Sequence, residues 1–155
     1  MSGGEWRIAA PDQERRMAWC QMRQALWPEM TEEENLRETE AMAKATSRFF
    51  VRVAMNREDQ PIGFVEATLR SDYVNGCATS PVAFLEGIYV EPRVRRHGVA
   101  RALVNAVEEW GRERGCREFA SDASLENASS HSMHAGLGFQ ETERVVYFRK
   151  DLGFG

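Results

Sequence analysis

The sequence predicts a three-layer α/β domain, α/β/α, around a central mixed, mostly antiparallel sheet. Three observations carry that expectation. Apolar strand-like segments are interleaved with segments of helical periodicity, in the order β-α-α-β-β-β-α-β-α-β. A strongly apolar run, "VAFLEGIYV" (82–90), leads through an arginine- and glycine-containing turn into a long amphipathic segment. The 155 residues suit one domain, 1–155, and neither an internal repeat nor a Pro/Gly/Ser linker divides them.

Each element has a local cause. "EWRIAA" reads as a first strand closed by Pro11. Ala18, Met22, Ala25 and Leu26 recur at helical spacing, and that helix stops near Trp27-Pro28. Thr31 followed by Glu34 is a capping-box signature for a second helix running to about Lys44. "RFFVRVAM" and "PIGFVEATLR", joined by the polar "NREDQ", read as an antiparallel hairpin. The loop "SDYVNGCATSP" follows, then the apolar strand, which ends at Glu91-Pro92. Val99, Leu103, Val107 and Trp110 mark one face of a helix ending near Gly115. "REFASDA" reads as another strand, "NASSHSMHAGL" as a short helix capped by Gly138, and "FQETERVVYFRK" as the last strands.

Composition narrows the function. Cys20, Cys77 and Cys116 are odd in number and far apart, which argues against a disulfide framework or a CxxC metal site and suits a reducing cytoplasm. His97, His131 and His134 form no ligand set at zinc-motif spacing, so no metal is expected. The opening "MSGGEWRIAAPDQERR" lacks a signal-peptide core, and no segment is long and apolar enough to span a bilayer, so no membrane partner is expected. A net charge of −4 argues against a nucleic-acid partner, which calls for a broad basic face. The dense glutamates of "TEEENLRETE" (31–40) are either a solvated helix face or a surface that attracts a polycation.

Against that acidic background, "EPRVRRHGVARAL" (91–103) concentrates four arginines and a histidine around Gly98, at the start of a helix. A helix N-terminus presents unpaired N–H groups and the positive end of the macrodipole, so it favours anions. Gly98 permits close approach and Ala100 keeps the next turn small, the properties of a pyrophosphate cradle. A merely basic, solvated helix start is the alternative. Neither GxGxxG nor GxxxxGK[ST] is present, which disfavours a dinucleotide or a nucleoside triphosphate.

The segment "RRHGVA" (95–100) resembles the [R/Q]-x-x-G-x-[G/A] signature of the GCN5-related N-acetyltransferases, the GNAT family, which bind acetyl-CoA. "ENASSHSMHAGLGF" resembles the second signature of that family, here with Asn127 and Gly138-Phe139. Within the family the closer resemblance is to aminoglycoside 6′-N-acetyltransferases. It is carried by "LWP" (26–28), "DYVNG" (72–76), "SPVAFLEGIYV" (80–90), "GCREFASD" (115–122) and "GFQETERVVYFRK" (138–150). The resemblance covers essentially the whole chain and implies a GNAT fold, acetyl-CoA as co-substrate, a polycationic acceptor and a homodimer.

The resemblance also assigns roles. Gly87 inside an apolar strand suggests a bulge that leaves backbone groups of Ile88 and Val90, on either side of Tyr89, for an extended pantetheine arm. One such N–H in the family polarises the thioester carbonyl and stabilises the oxyanion. Arg95, Arg96, His97 and Gly98 form the turn, and Val99, Ala100 and Arg101 open the helix that faces the pyrophosphate. An ammonium must lose its proton before it can attack, and Glu86 is placed to take it, with Asp122 sharing that role. A salt bridge within the sheet is the alternative for Glu86, and a loop cap for Asp122. His134 stands where many members carry the tyrosine that protonates the departing thiolate; it either donates that proton or only binds the cofactor, and Tyr147 is an alternative phenol. Trp27 and Tyr73 offer apolar faces to sugar rings, Asp72 and the glutamates of 32–40 attract ammonium groups, and Glu126 is a further acceptor contact or simply a helix-start charge.

The sequence thus points to acetyl transfer onto the 6′-amine of an aminoglycoside, by direct attack in a ternary complex. Polyamines or other small cationic amines are an alternative acceptor class, and a coenzyme-A-binding sensor without turnover is an alternative of another kind.

Overall fold

The computed structural model describes residues 5–153. Met1–Gly4 of the opening segment lie outside the described residues. The chain divides into two compact units, Met1–Asp122 and Ala123–Gly155.

The first unit runs β1 (Trp6–Ala9), α1 (Gln13–Leu26), α2 (Glu32–Lys44), β2 (Phe49–Asn56), β3 (Pro61–Arg70), β4 (Val82–Val90), a 3₁₀ turn (Pro92–Val94), α3 (Val99–Glu113) and β5 (Phe119–Ala120). The helix starts are set by short-range chemistry. Asp12 caps α1 by accepting from the Arg15 amide. Thr31 and Glu34 close both halves of the expected capping box on α2, a cap whose loss costs about 1 kcal/mol.

The five strands lie in sequence order in one sheet; the first three pairings are antiparallel and β4–β5 is parallel. The parallel pair requires a crossover, which α3 supplies. Alternation along the strands sends one face of the sheet to α1 and α2 and the other to α3. Trp19, Met22 and Met42 from the helices pack on Val51, Val53, Met55 and Phe64. On the far face Leu103, Val104 and Val107 of α3 are fully buried, each contributing about 1.5–3 kcal/mol of apolar transfer. Among the described residues, no helix is long and apolar enough to cross a membrane.

Two expectations for the strands are corrected. The strand read in "REFASDA" shrinks to Phe119–Ala120, since only these residues find partners, Ala83 and Phe84. The second unit contains α4 (Ala128–Gly136), ended by Gly138 at φ +93°, but residues 139–153 form no strand. The β-branched and aromatic pattern there is real, yet a strand needs a neighbouring edge to pair its backbone. Without one, Val146, Tyr147 and Phe148 are 77%, 80% and 92% exposed.

Candidate functional site

The site is built around an irregularity in β4. Opposite β3, Glu66 pairs with Gly87 and the next residue, Ala67, pairs with Leu85. Glu86 is therefore the extra residue of a β-bulge, and the bulge re-aims its side chain. Its Oε2 accepts hydrogen bonds from Thr68 Oγ1 at 2.6 Å and from Arg70 Nη2 at 2.9 Å. The in-sheet salt bridge that was the alternative reading of Glu86 is thus present, and it engages one carboxylate oxygen. Gly87 has its own reason: a Cβ there would lie 2.5 Å from Cη2 of Trp27, whose indole rests on the strand. Trp27 is held in turn by the Arg23 guanidinium, 5.1 Å from the ring centroid, and by an edge contact with Phe64.

Two hollows meet at this bulge. One, of about 560 Å³, is lined by Trp27, Arg23, Glu38, Glu66, Thr68 and Glu86 among others. The other, of about 530 Å³, is lined by Arg48, Arg70, Asp72, Tyr73, Thr68 and Glu86 among others. Thr68 and Glu86 belong to both. Glu86 thus shares the first hollow with Trp27 and the second with Asp72 and Tyr73, with carboxylates for cationic groups and aromatic faces for rings. Asp122 lines neither hollow. It lies exposed, two residues beyond the β4–β5 ladder, which ends at Phe84 and Ala120.

The glutamates of α2 separate into distinct roles. Glu34 completes the cap, Glu40 pairs with Lys44, and Glu38 alone of these three lines the first hollow, where it accepts from Arg23 at 2.8 Å.

Beneath the first hollow lies a buried network that the sequence reading missed. Glu66 Oε2 accepts from Arg23 Nε at 2.6 Å and from Trp19 Nε1 at 2.9 Å, while Arg23 also donates to Asn35 Oδ1. Burial pushes the Glu66 carboxyl above its ordinary pKa, and the charge and hydrogen bond of Arg23 pull against that rise. The signal was available: Glu66 is an ionisable residue inside the apolar run "GFVEA". A second missed contact shapes the acceptor loop. Glu118 accepts from the Thr79 hydroxyl and amide and from the Ala78 amide. These bonds hold its carboxyl below the ordinary carboxylate range.

The cofactor side shows two features suited to an extended anionic ligand. Since β5 pairs only with Ala83 and Phe84, the β4 edge from Leu85 onward has no strand partner among the described residues. The Glu91 amide bonds Ile62 on the β3 side, so alternation turns the backbone groups of Ile88 and Val90 toward the open edge. One of them is already engaged: Arg95 Nε donates to the Val90 carbonyl at 2.9 Å, which makes this arginine a brace for the strand end as well as a local charge. Past the 3₁₀ turn, Arg96 at φ +70° and Gly98 at φ +88° wind the chain into the helix. The amide of Arg95 closes on Pro92, and the first helical rung is the Ala102 amide to Gly98. The Arg95 amide is thus already engaged, while those of Gly98, Val99, Ala100 and Arg101 precede the first rung.

In the second unit, Asn127 is the N-cap of α4, its Oδ1 accepting from the Ser130 amide, and Glu126 is exposed just before it. His134 Nδ1 lies 2.7 Å from the Ser130 carbonyl oxygen and 3.3 Å from the Ser130 hydroxyl. Among the described residues no group of three His, Cys, Asp or Glu side chains is placed to hold a metal.

A family model described as "Acetyltransferase (GNAT) family" matches residues 16–139. The chain belongs to the GNAT acetyltransferase family. Among curated GNAT relatives, "Aminoglycoside N(6')-acetyltransferase type 1" of Acinetobacter genomosp. 13 is 50% identical over 135 residues, 87% of this chain and 91% of the relative. A solved structure of AAC(6')-Iy in complex with the bisubstrate analogue CoA-S-monomethyl-acetylneamine is 43% identical at a TM-score of 0.89, covering 94% of this chain and 98% of that one. AAC(6')-Iy in complex with CoA is likewise 43% identical, at a TM-score of 0.90 over 96% and 97% of the two chains. The GNAT fold expected from the sequence is the fold observed.

Proposed function

We propose that this chain is an aminoglycoside 6′-N-acetyltransferase, which acetylates the 6′-amine of aminoglycoside antibiotics at the expense of acetyl-CoA and so confers resistance to them. The observation that carries the reading is Glu86, the bulge residue at which both hollows meet beside the open edge of the same strand. The acceptor class rests on the relatives, which are named for it.

Bound acetyl-CoA supplies an acetyl thioester, whose C–S bond breaks as the N–C bond of the product forms. The amides of Gly98, Val99 and Ala100 bind its pyrophosphate, with Arg96, His97 and Arg101 beside them, and the backbone of Ile88, Tyr89 and Val90 binds the pantetheine arm. Asn127 and His134 are the remaining coenzyme ligands in this reading. Glu86 takes the proton of the acceptor ammonium at Oε1, and Asp122 assists. His134 serves the departing sulfur as its proton donor. Trp27 and Tyr73 stack on the sugar rings, while Asp72 and Glu126 bind the other ammonium groups.

The family match over 16–139 crosses the boundary between the two compact units, which supports one acetyltransferase domain over 1–155. The exposed apolar run from Val145 to Phe148 supports a homodimer in which a second chain covers it. Dependence on acetyl-CoA and three free cysteines accord with a cytoplasmic enzyme.

The test is thiol release from acetyl-CoA with a panel of aminoglycosides and polyamines. Turnover is expected with acceptors bearing a 6′-amine and not with their 6′-hydroxyl counterparts; equal turnover of such a pair defeats the regiochemistry. The cradle has its own test. Gly98→Asp adds an anion and left-handed strain at the N-terminus of α3, and acetyl-CoA affinity is expected to fall by about tenfold or more. Gly98→Ala brings the same left-handed strain without the negative charge and with nothing within 4 Å of the new Cβ, so it should lose less than the aspartate. Unchanged affinity in the aspartate variant removes the cradle.

A further inference from the structure

The two hydrogen bonds to Glu86 fall on the same oxygen. Thr68 Oγ1 and Arg70 Nη2 both reach Oε2, at 2.6 and 2.9 Å. Arg70 is itself fixed, its guanidinium carbon 3.5 Å from the centroid of the Phe84 ring. The register explains the arrangement. Thr68 lies opposite Phe84 and Arg70 opposite Val82, so Arg70 reaches Glu86 by crossing the Phe84 ring. Glu86, the bulge residue between Leu85 and Gly87, has no ladder partner of its own, and its carboxylate meets these two donors.

From this geometry we infer that Arg70 is a positioning residue for acetyl transfer: with Thr68 it anchors Oε2 of Glu86, so that Oε1 alone is presented to the incoming amine. The inference rests on the reading of Glu86 as the base. Arg70 acts in two ways. The paired bonds restrict the carboxylate to one orientation, which removes a rotational search at the moment of proton transfer. The guanidinium charge occupies the Oε2 side and repels a second cation there, so a polycationic acceptor can bring an ammonium only to Oε1. The N–H bond of that ammonium breaks, the O–H bond forms at Oε1, and Arg70 neither gives nor takes a proton, as suits a side chain that stays protonated. Arg70 lines the second hollow with Asp72 and Tyr73, so the anchor also stands at the wall of the acceptor cleft.

The experiment is a double-mutant cycle on steady-state kinetics with a 6′-amino aminoglycoside. Arg70→Gln is expected to lower kcat by on the order of 10²-fold, with acetyl-CoA affinity unchanged, because a misplaced catalytic group costs about that much. Arg70→Lys keeps the charge without the planar fork and should recover only part of the loss. In a Glu86→Gln background, Arg70→Gln should cost almost nothing further, since the carboxylate it positions is gone. A purely structural arginine gives a different pattern: losses that add in the double variant and follow the fall in thermal stability. Thr68→Val removes the other bond to Oε2 with little change of shape, and carries the same comparison if Arg70→Gln does not fold. Additive losses, or kcat within about twofold of the parent in Arg70→Gln, overturn the inference. Full activity in Glu86→Gln alone overturns instead the reading of Glu86 as the base, so the two failures are told apart.

Discussion

Glu86→Gln is expected to lower kcat toward a 6′-amino aminoglycoside by roughly 10²–10⁴-fold while acetyl-CoA affinity stays within about twofold. Glutamine keeps the size of the side chain and can still accept from Thr68 and Arg70, which bond one oxygen only. What it loses is the capacity to take the ammonium proton. The loss should therefore appear in kcat, while cofactor binding, which depends on the α3 turn and the β4 backbone, is spared. Isothermal titration with CoA and thiol-release kinetics on the same preparation separate the two quantities. A variant with parent-like kcat would move the base elsewhere, with Asp122, two residues past the end of β5, first in line.

Arg23→Ala is expected to destabilise the fold by about 3–5 kcal/mol, because it strands the Glu66 carboxylate in the interior. Both residues are 3% exposed, and the pair is tied to Trp19, Asn35 and Glu38. The melting temperature should fall by on the order of 10 °C for a chain of this size. The pH dependence has a definite sign. Burial already raises the Glu66 pKa in the folded protein, and without Arg23 nothing of comparable strength opposes it. A folded-state pKa above the unfolded value means that the penalty is absent below the ordinary glutamate range and grows as pH rises through the folded value. Denaturant unfolding should accordingly show a smaller difference from the parent near pH 4 than near pH 7. Replacing the pair together, Arg23→Met with Glu66→Leu, should recover much of the loss, the remaining cost being the indole N–H of Trp19 and the Oδ1 of Asn35 left without these partners.

The elements that were legible in the sequence are those with local causes. The α2 start follows from Thr31 and Glu34, three residues apart; the end of α1 from Trp27-Pro28; and the α3 turn from Pro92 and Gly98. The bulge was readable because a glycine inside an apolar strand signals a close approach, and the indole of Trp27 is what approaches. The errors have one origin. Residues 139–150 carry a strand pattern, but strand formation requires an edge that the pattern itself does not supply. The short β5 is the same lesson in smaller form: pairing ends where β4 and β5 part after Phe84, and beyond that point the β4 edge has no strand partner among the described residues.

The sequence by itself determined the family and the order of elements as far as α4, since caps, turn residues and signatures are encoded within a few consecutive residues, and it placed Glu86 beside Gly87 in the apolar strand. Only the tertiary structure decided how that carboxylate is held. Arg70 meets Glu86 across 16 positions of chain, Thr79 meets Glu118 across 39, and Arg23 meets Glu66 across 43. Such contacts depend on register and on which face a bulge exposes. A one-residue change in either turns the side chain to the opposite side of the sheet.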